Sequence, residues 1–107
     1  YAETNQNLEE ALDFILQALE AKPDAGHIVD SLGWVYYRMG QYEKAVDALK
    51  RAVQMTGDEP DDVIFDHLGD AYEKTGNPSA AREAWSKALD LSPDRPEKIR
   101  RKLDQIK

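Results

Sequence analysis

The apolar residues Leu8, Ala11, Leu12, Ile15, Leu16, Ala18 and Leu19 recur at spacings of three and four, the period of a helix with one buried face. This predicts a first helix opening at Asn7, an N-cap candidate with Glu10 as its capping-box partner, and running to Pro23. A second set, Ile28, Val29, Leu32, Val35, Tyr36 and Met39, predicts a helix capped by Asp24 and stopped at Gly40, where glycine enters the left-handed conformation cheaply. The third helix carries Tyr42, Ala45, Val46, Ala48, Leu49, Ala52 and Val53 and ends near Thr56-Gly57. A fourth, with Val63, Ile64, Leu68, Ala71 and Tyr72, opens among Pro60, Asp61 and Asp62, whose carboxylates suit the positive end of the helix dipole, and runs to Gly76. Asn77-Pro78 opens a fifth, with Ala81, Trp85, Ala88 and Leu91, which Ser92-Pro93 ends. Asp94 begins a short sixth, with Ile99, Leu103 and Ile106 on one stripe. Every segment between the punctuation reads as helix, so the fold class is all-α.

The chain also resembles itself. A shift of 36 residues sets Asp30-Ser31-Leu32-Gly33-Trp34-Val35-Tyr36-Tyr37 on Asp66-His67-Leu68-Gly69-Asp70-Ala71-Tyr72-Glu73, and Gly40, Ala45 and Ala52 on Gly76, Ala81 and Ala88. A shift of 34 sets Ala11, Ile15 and Ala18 on Ala45, Leu49 and Ala52; the two extra residues of the later interval fall in the loop between Gly57 and Asp62. Gly33, Gly69 and the paired alanines are small where two helix backbones approach closely, and Tyr36, Tyr72, Leu49 and Trp85 fill the space beside them.

The spacing Val29-x-x-Leu32-Gly33-x-x-Tyr36 with Gly40, Tyr42, Ala45, Leu49 and Ala52, followed by Phe65-x-x-Leu68-Gly69-x-x-Tyr72 with Gly76, Ala81, Trp85, Ala88 and Pro93, resembles the tetratricopeptide repeat (TPR). Val29 in place of the usual large aromatic and Gly57 in place of the closing proline depart from the pattern. The resemblance implies a right-handed solenoid of antiparallel helix pairs with a C-terminal capping helix. Its expected divisions are residues 1–23, the end of a preceding repeat and mainly its second helix, with Asn5 at the turn position; full repeats at 24–57 and 58–93; and the capping helix at 94–107. The wording of the repeats is also similar to the C-terminal repeats of long bacterial TPR proteins, some of them envelope lipoproteins acting as adaptors. Tyr1-Ala2-Glu3-Thr4, with neither an initiator Met nor a signal pattern, adds the expectation of a larger parent.

Composition narrows the chemistry. Fourteen Lys and Arg against 21 Asp and Glu give a formal charge of -7, which disfavours attraction to nucleic-acid phosphates. The charge is uneven: residues 95–107 carry +4, leaving -11 on the remainder, so the basic tail helix has an acidic partner surface in the same molecule. No apolar run approaches the roughly 20 residues that span a bilayer. Cysteine is absent, which excludes disulfides and thiolate chemistry and leaves the bacterial cytoplasm and the periplasm or envelope both open. The two histidines, His27 and His67, stand 40 residues apart with no metal-ligand spacing, and His67 reads as a partly buried or groove-edge imidazole. An EF-hand loop begun at Asp58 would need Gly and Glu where Val63 and Gly69 stand, so helix capping accounts for the acidic run. No nucleophile is set beside a base, and no cofactor, metal or catalytic residue is expected.

Surface remains. In the family that the chain resembles, the first helix of each pair lines the concave face, which implies a partner-binding set of His27, Asp30, Trp34, Tyr37 and Arg38 from one repeat and Val63, Asp66, Asp70, Glu73 and Lys74 from the next. Chaperone-binding relatives hold a peptide's terminal carboxylate there with lysine, asparagine and arginine; here Asp30, Trp34, Asp66 and Asp70 stand in those places. The expectation is a non-catalytic interaction module for a basic or apolar protein segment, with Trp34 and Tyr37 either touching that ligand or packing on a neighbouring repeat. The alternative is a structural cap or self-association element of a longer array, with a homodimer formed through uncovered apolar residues such as Leu8, Leu12 and Ile15.

Overall fold

The computed structural model describes residues 2–23, 25–57, 61–91 and 96–105. They form six helices: α1 (Ala2–Ala21), α2 (Gly26–Arg38), α3 (Tyr42–Thr56), α4 (Asp62–Lys74), α5 (Pro78–Leu91) and α6 (Pro96–Gln105). Each helix packs on its neighbours in sequence, and α2 also touches α4. The result is a stack that grows in one direction.

The turns inside the pairs α2–α3 and α4–α5 share one hydrogen-bond scheme. Gln41 N–H donates to the Tyr36 carbonyl (2.9 Å) and Gly40 N–H to that of Tyr37 (3.0 Å); one repeat later Asn77 donates to Tyr72 (3.0 Å) and Gly76 to Glu73 (3.1 Å). This is the Schellman closure, and it requires the left-handed backbone that Gly40 (φ 81°) and Gly76 (φ 82°) adopt. The N-caps read from sequence form at two helices: Asp61 accepts from Val63 N–H (2.8 Å) and Asn77 from Ala80 N–H (3.3 Å).

The first helix departs from its expectation. It runs unbroken from Ala2, so Asn7 is an exposed residue within the helix and Asn5 makes no turn. The physical reason is local: residues 2–6 include neither glycine nor proline, and nothing in them forces the helix to stop. At α2 the N-cap is Ala25, which makes no side-chain capping bond. Asp24, Pro60, Ser92, Pro93, Asp94 and Ile106, given roles above, lie outside the described residues.

Val29, Leu49, Ile64 and Trp85 are the largest fully buried side chains. A Cβ on Gly33 would lie 2.5 Å from Leu49 Cγ, and one on Gly69 would strike the Trp85 indole, so both glycines are required by close helix approach. Ala45, Ala52, Ala81 and Ala88 are fully buried at the same contacts. Small residues on one helix thus admit a large one from its partner, Leu49 in the first pair and Trp85 in the second. Ile99 of α6 closes the far end against Ala81, Trp85 and Ala88.

Candidate protein-interaction face

Helical periodicity puts Asp30, Trp34 and Tyr37 on one side of α2, at spacings of four and three. The 36-residue repeat puts Asp66 and Asp70 on the matching side of α4, so the two sets meet where α2 touches α4. What they build there differs between the helices.

On α2 the surface is aromatic. The Trp34 ring is stacked with Tyr37 (centroids 5.1 Å apart, planes 7° apart) and with His67 of α4 (4.3 Å, 21°). Tyr42, from the start of α3, meets Tyr37 edge-on at 5.4 Å. His67 Nδ1 is 3.0 Å from Asp30 Oδ1, so one imidazole joins two repeats through a ring contact and a polar contact. All of these side chains are half-buried: each has one side in the protein and another in solvent. Burial, and then the negative charge of Asp70, hold the Tyr37 hydroxyl above the usual tyrosine range, so it stays a neutral donor.

On α4 the surface is ionic. Lys102 of α6 reaches across to place its ammonium 2.7 Å from Asp66 Oδ1 and 2.9 Å from Asp70 Oδ1. The same ammonium lies 5.8 Å from the centre of the Trp85 ring, whose Nε1–H donates to the Asp66 backbone carbonyl (3.2 Å). Burial raises the Asp70 carboxyl above the ordinary range, opposed by its bond to Lys102 and reinforced by the neighbouring charge of Asp66. Burial alone would lower Lys102, but bonds to two carboxylates outweigh it and hold the ammonium protonated. Two carboxylates share one cation, which leaves the cluster one negative charge in excess.

The structure therefore brings together five of the sequence-predicted residues, Asp30, Trp34, Tyr37, Asp66 and Asp70. Val63 lies in the first turn of the same helix, 46% exposed, and His27, Arg38, Glu73 and Lys74 are exposed at helix ends. Sequence reasoning gave His67 only an edge role and did not include Lys102 or Tyr42. The signal for Lys102 was the basic tail beside an acidic surface; its distance in sequence, 36 residues from Asp66, hid the pairing. A separate shallow hollow of about 470 Å³ lies at the turn edge, lined by Gln41, Tyr42, Lys44, Lys74 and Thr75 among others. Among the described residues no group of three His, Cys, Asp or Glu is placed to hold a metal ion, and no helix is long and apolar enough to cross a membrane.

Comparison with known proteins bears on this arrangement. A family model described as Tetratricopeptide repeat matches residues 31–96. Among solved structures, a thermophilic TPR protein of Thermus thermophilus is similar at 27% identity and a TM-score of 0.77, over 91% of this chain and 48% of that one. YrrB, described as a TPR protein with an unusual peptide-binding site, is similar at 26% identity and a TM-score of 0.75, over 89% of this chain and 48% of its own. This chain thus spans about half the length of those two. The first TPR of Spaghetti, solved with the HSP90 peptide SRMEEVD, shares the fold at 18% identity and a TM-score of 0.78, over 95% of this chain and 84% of that one. No curated protein matches the sequence significantly. The fold is that of the right-handed TPR solenoids, all-α with a C-terminal capping helix.

Proposed function

The chain belongs to the tetratricopeptide-repeat family, and on that premise we propose that it binds a basic or apolar segment of a protein partner along the face formed by α2 and α4. Proteins of this family are generally non-catalytic interaction modules, and we read this one as non-enzymatic, with repeats at 24–57 and 58–93 and the capping helix at 94–107. One observation carries the reading: the half-exposed stack of Trp34, Tyr37 and His67, bordered by the carboxylates of Asp30, Asp66 and Asp70. Half-exposed aromatics offer large contact area at low entropic cost, which is why such residues dominate binding energy at interfaces. The carboxylates set the sign of the partner's charge. A peptide ending in acidic residues, such as the one bound to Spaghetti, meets three carboxylates here, Asp30, Asp66 and Asp70, whose one lysine, Lys102, is already engaged by two of them.

The test is titration of the chain with a peptide library that varies charge and aromatic content. Basic and apolar members should bind, with affinity falling as salt rises, and Trp34→Ala should weaken binding by about 1–3 kcal/mol. Tight, specific binding of SRMEEVD would overturn the assignment.

A second reading, a cap or self-association element of a longer array, is favoured by α1 alone. Phe14 is 74% exposed there, although Ala48, its counterpart one repeat on, is buried. Concentration-dependent sedimentation that Phe14→Ala abolishes would support it; a monomer near 1 mM would reject it.

A further inference from the structure

The ionic half of the face differs from the aromatic half in one respect that bears on regulation: its cation comes from the same chain. Lys102 sits between Asp66 and Asp70 at 2.7 and 2.9 Å, over the Trp85 ring, in the position where a partner's lysine or arginine would pair with α4. The helix that delivers it is weakly held. Whereas α2, α3, α4 and α5 each bury four residues, α6 buries Ile99 alone among its described residues, with Leu103 half-buried beside it. An element with one buried anchor and mostly exposed residues lies at the low end of local stability.

We propose that α6 is a tethered competitor for the partner site, with Lys102 occupying the cation seat of α4, so that a basic segment engages Asp66 and Asp70 only as α6 withdraws. This rests on the reading that the face binds a basic segment. The device needs no second protein: the local concentration of Lys102 holds the seat closed, and a partner that also gains from Trp34 and Tyr37 outcompetes it. A partner's apparent affinity is then its intrinsic affinity scaled by the fraction of chains with α6 open.

The experiment uses the full chain and a decalysine peptide, with Lys102→Gln compared against Lys98→Gln. Lys98 is exposed on the same helix, so its loss removes an equal charge without touching the seat. Lys102→Gln should bind decalysine about tenfold more tightly than wild type, as expected for a seat open in roughly one chain in ten, and Lys98→Gln within about twofold. Lys102→Arg, which keeps a cation in place, should bind as wild type does. Hydrogen exchange on the wild-type chain gives a readout that survives any folding defect of the variants: saturating decalysine should deprotect α6 amides and leave α3 unchanged. Equal affinities for Lys102→Gln and Lys98→Gln, or α6 protection that rises with decalysine, would overturn the gate while leaving the binding reading intact. Absence of decalysine binding by wild type and Lys102→Gln alike would overturn both.

Discussion

The two helix pairs, α2–α3 and α4–α5, are built to one plan and differ at the residue that fills the space under the glycine common to both repeats. Beneath Gly33 lies Leu49, a branched aliphatic chain with two soft torsions; beneath Gly69 lies Trp85, a rigid plate. In the second pair that residue also reaches toward the surface. The indole carries an N–H that bonds the Asp66 carbonyl and a face that lies near Lys102, so the second pair is tied to α6. In the first pair Leu49 fills the corresponding core space, and the aromatic residues Trp34 and Tyr37 stand at the surface, half-open to solvent. One architecture thus carries a closed ionic half and an open aromatic half, with Asp70 standing where the first repeat has Trp34 and the core indole of Trp85 adding its contacts to the ionic half.

Truncating the two core residues gives the largest effect. Trp85→Ala should cost about 3–5 kcal/mol and Leu49→Ala about 2–5 kcal/mol by chemical denaturation. The comparison sharpens if Trp85→Ala also deprotects α6 in hydrogen exchange while Leu49→Ala does not, because only Trp85 packs with Ile99. Next come the glycines. Gly69→Ala must displace a rigid indole and should destabilise by about 1–3 kcal/mol. Both substitutions regain up to about 1 kcal/mol of helix propensity, but Gly33→Ala has only to turn the smaller Leu49 side chain aside, so its net cost should be smaller. Equal costs would break the distinction between plate and branched chain.

Trp34→Ala should lower stability by only about 0.5–1.5 kcal/mol, the range of an aromatic contact pair, far less than Trp85→Ala. A melt as poor as that of Trp85→Ala would make Trp34 a core residue. The smallest effect is alkaline. Lys102 is raised above its ordinary value of 10.5 in the fold, so the stability it adds is complete below 10.5 and is lost as pH rises through the higher folded value. Tyr37, raised above 10.0, gives a change confined to the same alkaline range, where its buried hydroxyl resists the ionisation that the unfolded chain allows. The stability gap between wild type and Lys102→Gln should therefore close above about pH 10.5, and persist in a Tyr37→Phe background at lower pH, by denaturant midpoints measured from about pH 8 to 12.

Helix content and turn chemistry were legible because they are local. The three-and-four spacing of apolar residues, the glycines at 40 and 76, and the caps at Asp61 and Asn77 all act within a few residues of themselves. The same locality explains the miss at α1: Asn7 and Glu10 have the composition of a capping box, but nothing before them breaks a helix, and a cap residue inside a continuous helix has no free N–H groups to satisfy. For the candidate face, period and repeat length named Asp30, Trp34, Tyr37, Asp66 and Asp70 as one side of two neighbouring helices.

By itself, then, the sequence determined which segments are helical, where the pairs turn, and which side of each helix is small enough to be approached. Those properties follow from the period of the helix and from the volumes of single side chains. Tertiary structure decided what meets what. The stacking of His67 on Trp34, its bond to Asp30 and the seating of Lys102 between Asp66 and Asp70 join residues 32 to 37 apart, and each depends on the angle at which one helix pair lies on the next. Periodicity along one helix carries no information about that angle; it is set by how the side chains of α3 and α2 pack on α4.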